Sequence, residues 1–137
     1  MFVGTFEHAL DGKGRVVLPS QFRNALAGQG ILAKYENCLG LWTPTGFQEV
    51  ADSLQAKVRS GQARHNAVRA FTSQAALVEP DTQGRILIPS KLREYAHLDR
   101  EVAIVGALNR IELWDKARWD EESGEADDDL IAAVIDI

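Results

Sequence analysis

One short segment occurs twice in this chain, and that duplication constrains the fold more than any other feature. The stretch from Asp11 to Arg23 (DGKGRVVLPSQFR) returns without gaps from Asp81 to Arg93 (DTQGRILIPSKLR). Six of the thirteen positions are identical, and four more exchange one apolar side chain for another. The likeness continues downstream, where Leu39-Gly40-Leu41-Trp42 matches Ile111-Glu112-Leu113-Trp114 and Phe47 matches Trp119. A copy of only about 55 residues buries little surface and leaves open strand edges. The duplication therefore predicts one pseudo-symmetric unit with interleaved strands rather than two independent domains.

Each copy has a legible local grammar. Val16-Val17-Leu18 and Ile86-Leu87-Ile88 are short apolar runs, suited to a strand buried on both faces. Gly14 and Gly84 precede the motif arginines and permit a turn with positive φ. Pro19 and Pro89 stop the strands, because proline donates no ladder hydrogen bond. A short helix should follow, with Phe22 and Leu26, or Leu92 and Ala96, on one face. Gly28 and Gly30 are expected to end the first of these helices.

Strand pairs at Ile31–Tyr35 with Leu39–Trp42, and at Val102–Val105 with Arg110–Trp114, should close the two copies. Thr43-Pro44 and Asp115-Lys116 read as helix starts. Phe47, Val50, Ala51, Leu54 and Val58 keep helical spacing, and a second helical stretch from about Gln62 to Phe71 joins the halves. The expected organisation is a first half over residues 1–55, a helical connector over 56–74, a second half over 75–122, and an acidic tail over 123–137. From Glu121 onward, Gly124 and three consecutive aspartates suggest disorder. Leu130, Ile131, Val134 and Ile135 within it suggest local docking, fraying or a partner contact.

The net charge of −5 hides an asymmetry. Residues 115–137 carry nine acidic and two basic groups, net −7, while residues 1–114 carry 13 basic and 11 acidic groups, net +2. The acidity belongs to the tail, so it raises no objection to a nucleic-acid partner for the body. No apolar run reaches the length of a membrane span, and the first residues lack the pattern of a signal peptide. With Cys38 as the sole cysteine, these features predict a cytoplasmic protein without internal disulfides.

The turn Lys13-Gly14-Arg15 projects cationic side chains, and Gln83-Gly84-Arg85 is its twin. Arginine can donate in bidentate fashion to guanine O6 and N7, while lysine neutralises phosphate. Asp11 and Asp81 suit the shaping of the turns, since an aspartate accepts local backbone N–H groups. An Asp–Arg pair that merely stabilises each turn is the competing reading. Arg23, Arg93 and Lys91 suit phosphate or subunit contacts. Other chemistries find no support: there is no Walker spacing, and His8, His65 and His97 are too scattered to suggest a metal site. No nucleophile–base arrangement suggests an enzyme, and no cofactor is called for. Trp42, Trp114 and Trp119 read as core or subunit-packing aromatics.

The tandem Asp-x-x-Gly-Arg motif, each copy followed by an apolar triplet, Pro-Ser and a short helix, resembles the MraZ family. So do Leu92–Ala96, Val102–Gly106 and Arg110–Trp114, and the resemblance runs from Met1 to about Glu122. It implies an α+β fold of two swapped-hairpin halves of the AbrB/SpoVT kind, forming a small interleaved β-barrel with short helices. It also implies a DNA-binding transcriptional regulator, mostly a repressor, that assembles into closed rings. Its expected target is double-stranded DNA carrying repeated boxes upstream of its own division and cell-wall gene cluster, which places it at the nucleoid. On this resemblance Arg15 and Arg85 fall on the family's DNA-contacting arginine. The alternative is an AbrB-type antitoxin whose acidic tail binds a toxin.

Overall fold

The computed structural model describes residues 1–135. The first copy runs through β1 (Thr5–Ala9), β2 (Arg15–Val17), α1 (Ser20–Leu26), β3 (Gly30–Lys34) and β4 (Leu39–Trp42). Two helices, α2 (Pro44–Arg59) and α3 (His65–Thr72), lead to the second copy. That copy comprises β5 (Ala76–Val78), β6 (Arg85–Leu87), α4 (Ser90–Tyr95), β7 (Glu101–Gly106) and β8 (Ile111–Asp115), followed by α5 (Lys116–Val134). The fold class is α+β, with antiparallel sheets and short helices.

The duplication is written into the strand pairing. The main sheet has the order β1-β7-β8-β4-β3-β5, which reads the same in reverse when each strand is replaced by its repeat equivalent. β4 pairs with its equivalent β8 through Leu39↔Leu113, Gly40↔Glu112 and Leu41↔Ile111. The pseudo-dyad therefore passes between Gly40 and Glu112. A second, two-stranded ladder pairs β2 with its equivalent β6 through Arg15↔Leu87, Val16↔Ile86 and Val17↔Arg85. Its dyad lies between Val16 and Ile86. The outermost strands cross between copies, with β1 on β7 and β5 on β3. Interleaving is thus direct. The main ladder runs from β1 to β5, and among the described residues those two strands are not paired with each other.

The two ladders enclose the principal core. Val16, Leu18, Phe22, Ile86, Ile88 and Leu92 from the ribbon and its helices meet Leu32, Leu41, Ile104 and Leu113 from the sheet, all essentially fully buried. Each large side chain removed from water contributes roughly 1.5–3 kcal/mol. Phe22 lies edge-on to both Phe2 (5.7 Å) and Phe6 (5.4 Å), tying the N-terminal segment to α1. On the other face of the sheet, Trp42 is buried among Tyr35, Phe47 and Phe71, and Trp114 packs on Trp119.

The copies differ at their centre. In the second copy Glu112 bridges Arg110 (2.8 Å) and the Trp114 indole N–H (3.0 Å), and Arg110 also covers the Tyr35 ring. In the first copy Gly40 occupies the equivalent place, and a Cβ there would strike the Trp42 ring.

Three sequence expectations are corrected. The apolar triplets are not buried on both faces. Val16, Leu18, Ile86 and Ile88 are buried, but Val17 is half-buried and Leu87 is exposed, because a two-stranded ribbon lies on the core with one face only. α1 does not end at Gly28 and Gly30. Ala27 takes the left-handed cap at φ 55°, and Gly30 already begins β3. A Cβ at Gly30 would press into the buried Leu41 side chain and force it to shift. The tail from Glu121 is not disordered up to Val134. The Asp115 side chain caps α5, the Trp119–Trp114 contact anchors it, and the helix continues through Gly124 despite a penalty of about 1 kcal/mol for a mid-helix glycine. The boundary expected at residue 123 falls inside this helix, and positions 136 and 137 of the tail lie outside the described residues. Leu130, Ile131, Val134 and Ile135 do not dock on their own chain; they are 45–77% exposed.

Candidate nucleic-acid interface

In each motif loop the aspartate organises the backbone that follows it. Asp11 Oδ1 accepts the N–H groups of Lys13 and Arg15, both at 2.9 Å, and Asp11 Oδ2 accepts the Arg15 Nε–H at 2.8 Å. Asp81 repeats this with Gln83 and Arg85 at 2.9, 2.9 and 2.7 Å. Backbone bonds from Asp11 to Arg15 and from Gly14 to Asp11 close the loop, and the same bonds close the second copy. Gly14 at φ 81° and Gly84 at φ 78° supply the left-handed residue that such a tight return needs.

These contacts hold the Asp11 and Asp81 carboxyls below the ordinary aspartate range. The main cause is the backbone N–H of the motif arginine; burial opposes it, and the arginine guanidinium and the backbone N–H of Lys13 or Gln83 lower the value further. A depressed native pKa means that the loop bonds contribute fully above the ordinary aspartate range. Their contribution is lost as pH falls through the lowered native value. An acid titration followed by carboxyl-carbon NMR is expected to place both midpoints below that range, and Arg15→Ala should return the Asp11 midpoint toward it.

The ribbon's outward face carries the candidate contacts. Because cross-strand partners share a face, Arg15, Val17, Arg85 and Leu87 all point away from the core, while Val16 and Ile86 point into it. Arg15 and Arg85 are diagonal neighbours across the ladder, which separates them by about 7–8 Å. Their side chains are 27% and 28% exposed. Each is held at Nε by its aspartate, and among the described residues neither Nη group has a protein partner. Lys13 and Gln83 sit exposed in the loops beside them.

Arg23 and Arg93 serve a different geometry. Arg23 Nη1 donates to the Leu18 carbonyl, and its guanidinium lies against Gly84 of the opposite loop. Arg93 Nη1 donates to the Ile88 carbonyl and lies against Gly14. The backbone is tied across in the same sense, from Leu18 N–H to Gly84 O and from Ile88 N–H to Gly14 O, both at 2.9 Å. Each copy's helix therefore clamps the other copy's motif loop. Both arginines are half-buried, whereas Lys91 is exposed on α4. Sequence reasoning missed this crossed clamp and the outward placement of Val17 and Leu87. The recurrence of Gly14/Gly84 with Arg23/Arg93 in both copies was the available signal.

The chain is matched by the family model described as "MraZ protein, putative antitoxin-like" over residues 1–69 and again over 71–134. A protein of Salinispora arenicola named "Transcriptional regulator MraZ" is 42% identical over 131 residues, 95% of this chain and 92% of the relative. Proteins of the same name from Acetivibrio thermocellus and Clavibacter michiganensis subsp. michiganensis are each 45% identical. They are matched over 130 and 123 residues, covering 91% and 88% of this chain and 88% and 85% of those proteins. A double match to the family model, with similarity spanning nearly the whole length of its members, shows that this chain belongs to the MraZ family.

Proposed function

We propose that this protein is a transcription regulator that binds double-stranded DNA by laying the β2/β6 ribbon in the major groove. The observation that carries this reading is the outward ribbon face, with two rigidly based arginines arranged about a pseudo-dyad. A two-stranded ribbon fits the major groove. Anchored at Nε, each arginine still offers its Nη groups to guanine O6 and N7, and the aspartate fixes the side chain before DNA arrives. Their spacing matches about two base steps of roughly 3.4 Å. Val17 and Leu87 lie between them as apolar surface for thymine methyl groups, and Lys13 is placed for phosphate. The name carried by the relatives, "Transcriptional regulator MraZ", supports the same reading.

A single ribbon is a small reader, so specificity is assigned to several copies acting together. Neighbouring subunits of a closed ring, each built of two swapped-hairpin halves, bind repeated boxes near the chain's own division and cell-wall cluster. The boxes recur near one helical turn, roughly 10 bp, so that successive ribbons meet the same DNA face. Occlusion of the promoter then represses it, and the protein acts in the cytoplasm at the nucleoid. No helix among the described residues is long and apolar enough to cross a membrane.

The test is a footprint on the DNA upstream of the gene. Protection should recur with that spacing, and affinity should fall linearly in log K against log salt, because phosphate contacts release counterions. Salt-independent or absent binding would overturn the reading. The family description's "antitoxin-like" and the acidic tail favour one second reading, an antitoxin whose tail binds a toxin. Co-purification of a small protein that is lost on removing residues 121–137 would establish that reading instead.

A further inference from the structure

We propose that the C-terminal end of α5 from one copy docks into the groove between α2 and α3 of a second copy. Both surfaces are unfinished in the single chain. α2 runs for 16 residues without one buried side chain, and α3 has none either. Their apolar ridge leaves a cavity of about 300 Å³, lined by Tyr35, Val50, Leu54, Lys57, Ala67 and Phe71. A surface helix normally covers its apolar stripe, and here the stripe is only half covered.

The occupant is identified by chemistry. Leu130, Ile131 and Val134 fall on one face of the last turns of α5, all at least 45% exposed. The exposed part of α5 after Ser123 is 11 residues, about 16 Å of helix, enough to lie along the α2 ridge from Val50 to Val58. Charge completes the match. Residues 57–69 contain Lys57, Arg59, Arg64 and Arg69 and no acid, while residues 120–129 contain seven acids and no base. Among the described residues, none of those four cations is ion-paired, and of the seven acids only Asp120 is. A tail docked in its own groove would bury these apolar side chains, and they are exposed. The partner is therefore another copy. Tail and groove are different surfaces, so the contact is heterologous and extends an assembly unless it closes on itself. The inference does not depend on the DNA reading.

Cross-linking between distinguishable chains tests it. A tagged Leu54→Cys protein is mixed with an untagged Ile131→Cys protein and mildly oxidised. Native Cys38 stays out of the reaction, because it is fully buried and burial pushes its thiol pKa far up. A tagged–untagged disulfide dimer is expected. Asp127→Lys/Asp128→Lys/Asp129→Lys in the tail should lower its yield at least about tenfold. Combining that tail with a Lys57→Glu/Arg64→Glu/Arg69→Glu groove should restore it. Three outcomes would overturn the proposal. One is a link that forms only within a single Leu54→Cys/Ile131→Cys chain at a concentration-independent rate. Another is a link from Ile131→Cys to Val17→Cys on the ribbon in preference to the groove. The last is no link at all in chains whose circular dichroism is native.

Discussion

The Arg15→Ala/Arg85→Ala double variant is expected to fold normally and to lose about 2–6 kcal/mol of affinity for a single DNA box, at about 1–3 kcal/mol per bidentate contact. That corresponds to a weakening of roughly thirtyfold to more than ten-thousandfold. Fluorescence anisotropy at fixed salt measures it. Single variants should lose about half as much and tolerate base changes at one position of the box. The competing role, an Asp–Arg pair that only steadies the turn, predicts a different pattern. It places the loss in thermal stability and leaves affinity intact at temperatures where the variant is folded. Arg15→Lys separates the two readings further. It keeps the charge but not the planar fork, so a base-reading arginine should lose specificity while the salt slope stays near that of the unmodified protein. Lys13→Ala should do the reverse, lowering the slope by about one unit with sequence preference retained. Unchanged affinity and selectivity in the double variant would remove the ribbon as the reading surface.

Much of this arrangement follows from the duplication. Aligning Asp11–Arg23 with Asp81–Arg93 predicts equivalent strands, turns and helices, and placing both motifs on β2 and β6 follows from their apolar triplets. Strand pairing was less accessible. β1 and β5 have weak or very short apolar patterns, Thr5-Phe6-Glu7-His8-Ala9 and Ala76-Leu77-Val78, and they become strands by pairing with β7 and β3 of the other copy. A local pattern cannot contain a non-local partner. The same limit hid the outward face of the ribbon. A run such as Ile86-Leu87-Ile88 reads as buried throughout until its partner shows which side meets the core. In the tail, Gly124 and three aspartates looked disruptive, yet a cap at Asp115 and one Trp–Trp contact suffice to start a helix that then propagates.

Gly14→Ala should be the most damaging single change in the motif loops, for a reason that the φ angle supplies only in part. Placing an L-residue at φ 81° costs about 1–2 kcal/mol. The new Cβ would also overlap the Arg93 guanidinium, forcing that side chain away from the Ile88 carbonyl. A hydrogen bond from a charged donor contributes about 1.5–3 kcal/mol, so the total should reach about 2.5–5 kcal/mol. That is a large share of the roughly 5–15 kcal/mol typical of a small domain. The two terms separate in a double-mutant cycle read by urea unfolding. With Arg93→Ala already present, Gly14→Ala should cost only its backbone share, which leaves a coupling of about 1.5–3 kcal/mol. Gly84→Ala with Arg23→Ala should repeat the result across the pseudo-dyad. Gly12→Ala, with open space around its Cβ, should stay within about 0.5 kcal/mol. If the cost of Gly14→Ala were the same with and without Arg93, the crossed arginine would hold nothing, and each motif loop would owe its position to its own turn and to the crossed backbone bond from Ile88 or Leu18. A measured coupling would instead mean that each copy's reading loop is held in place by the other copy's helix, which gives a physical reason for keeping the two copies in one chain.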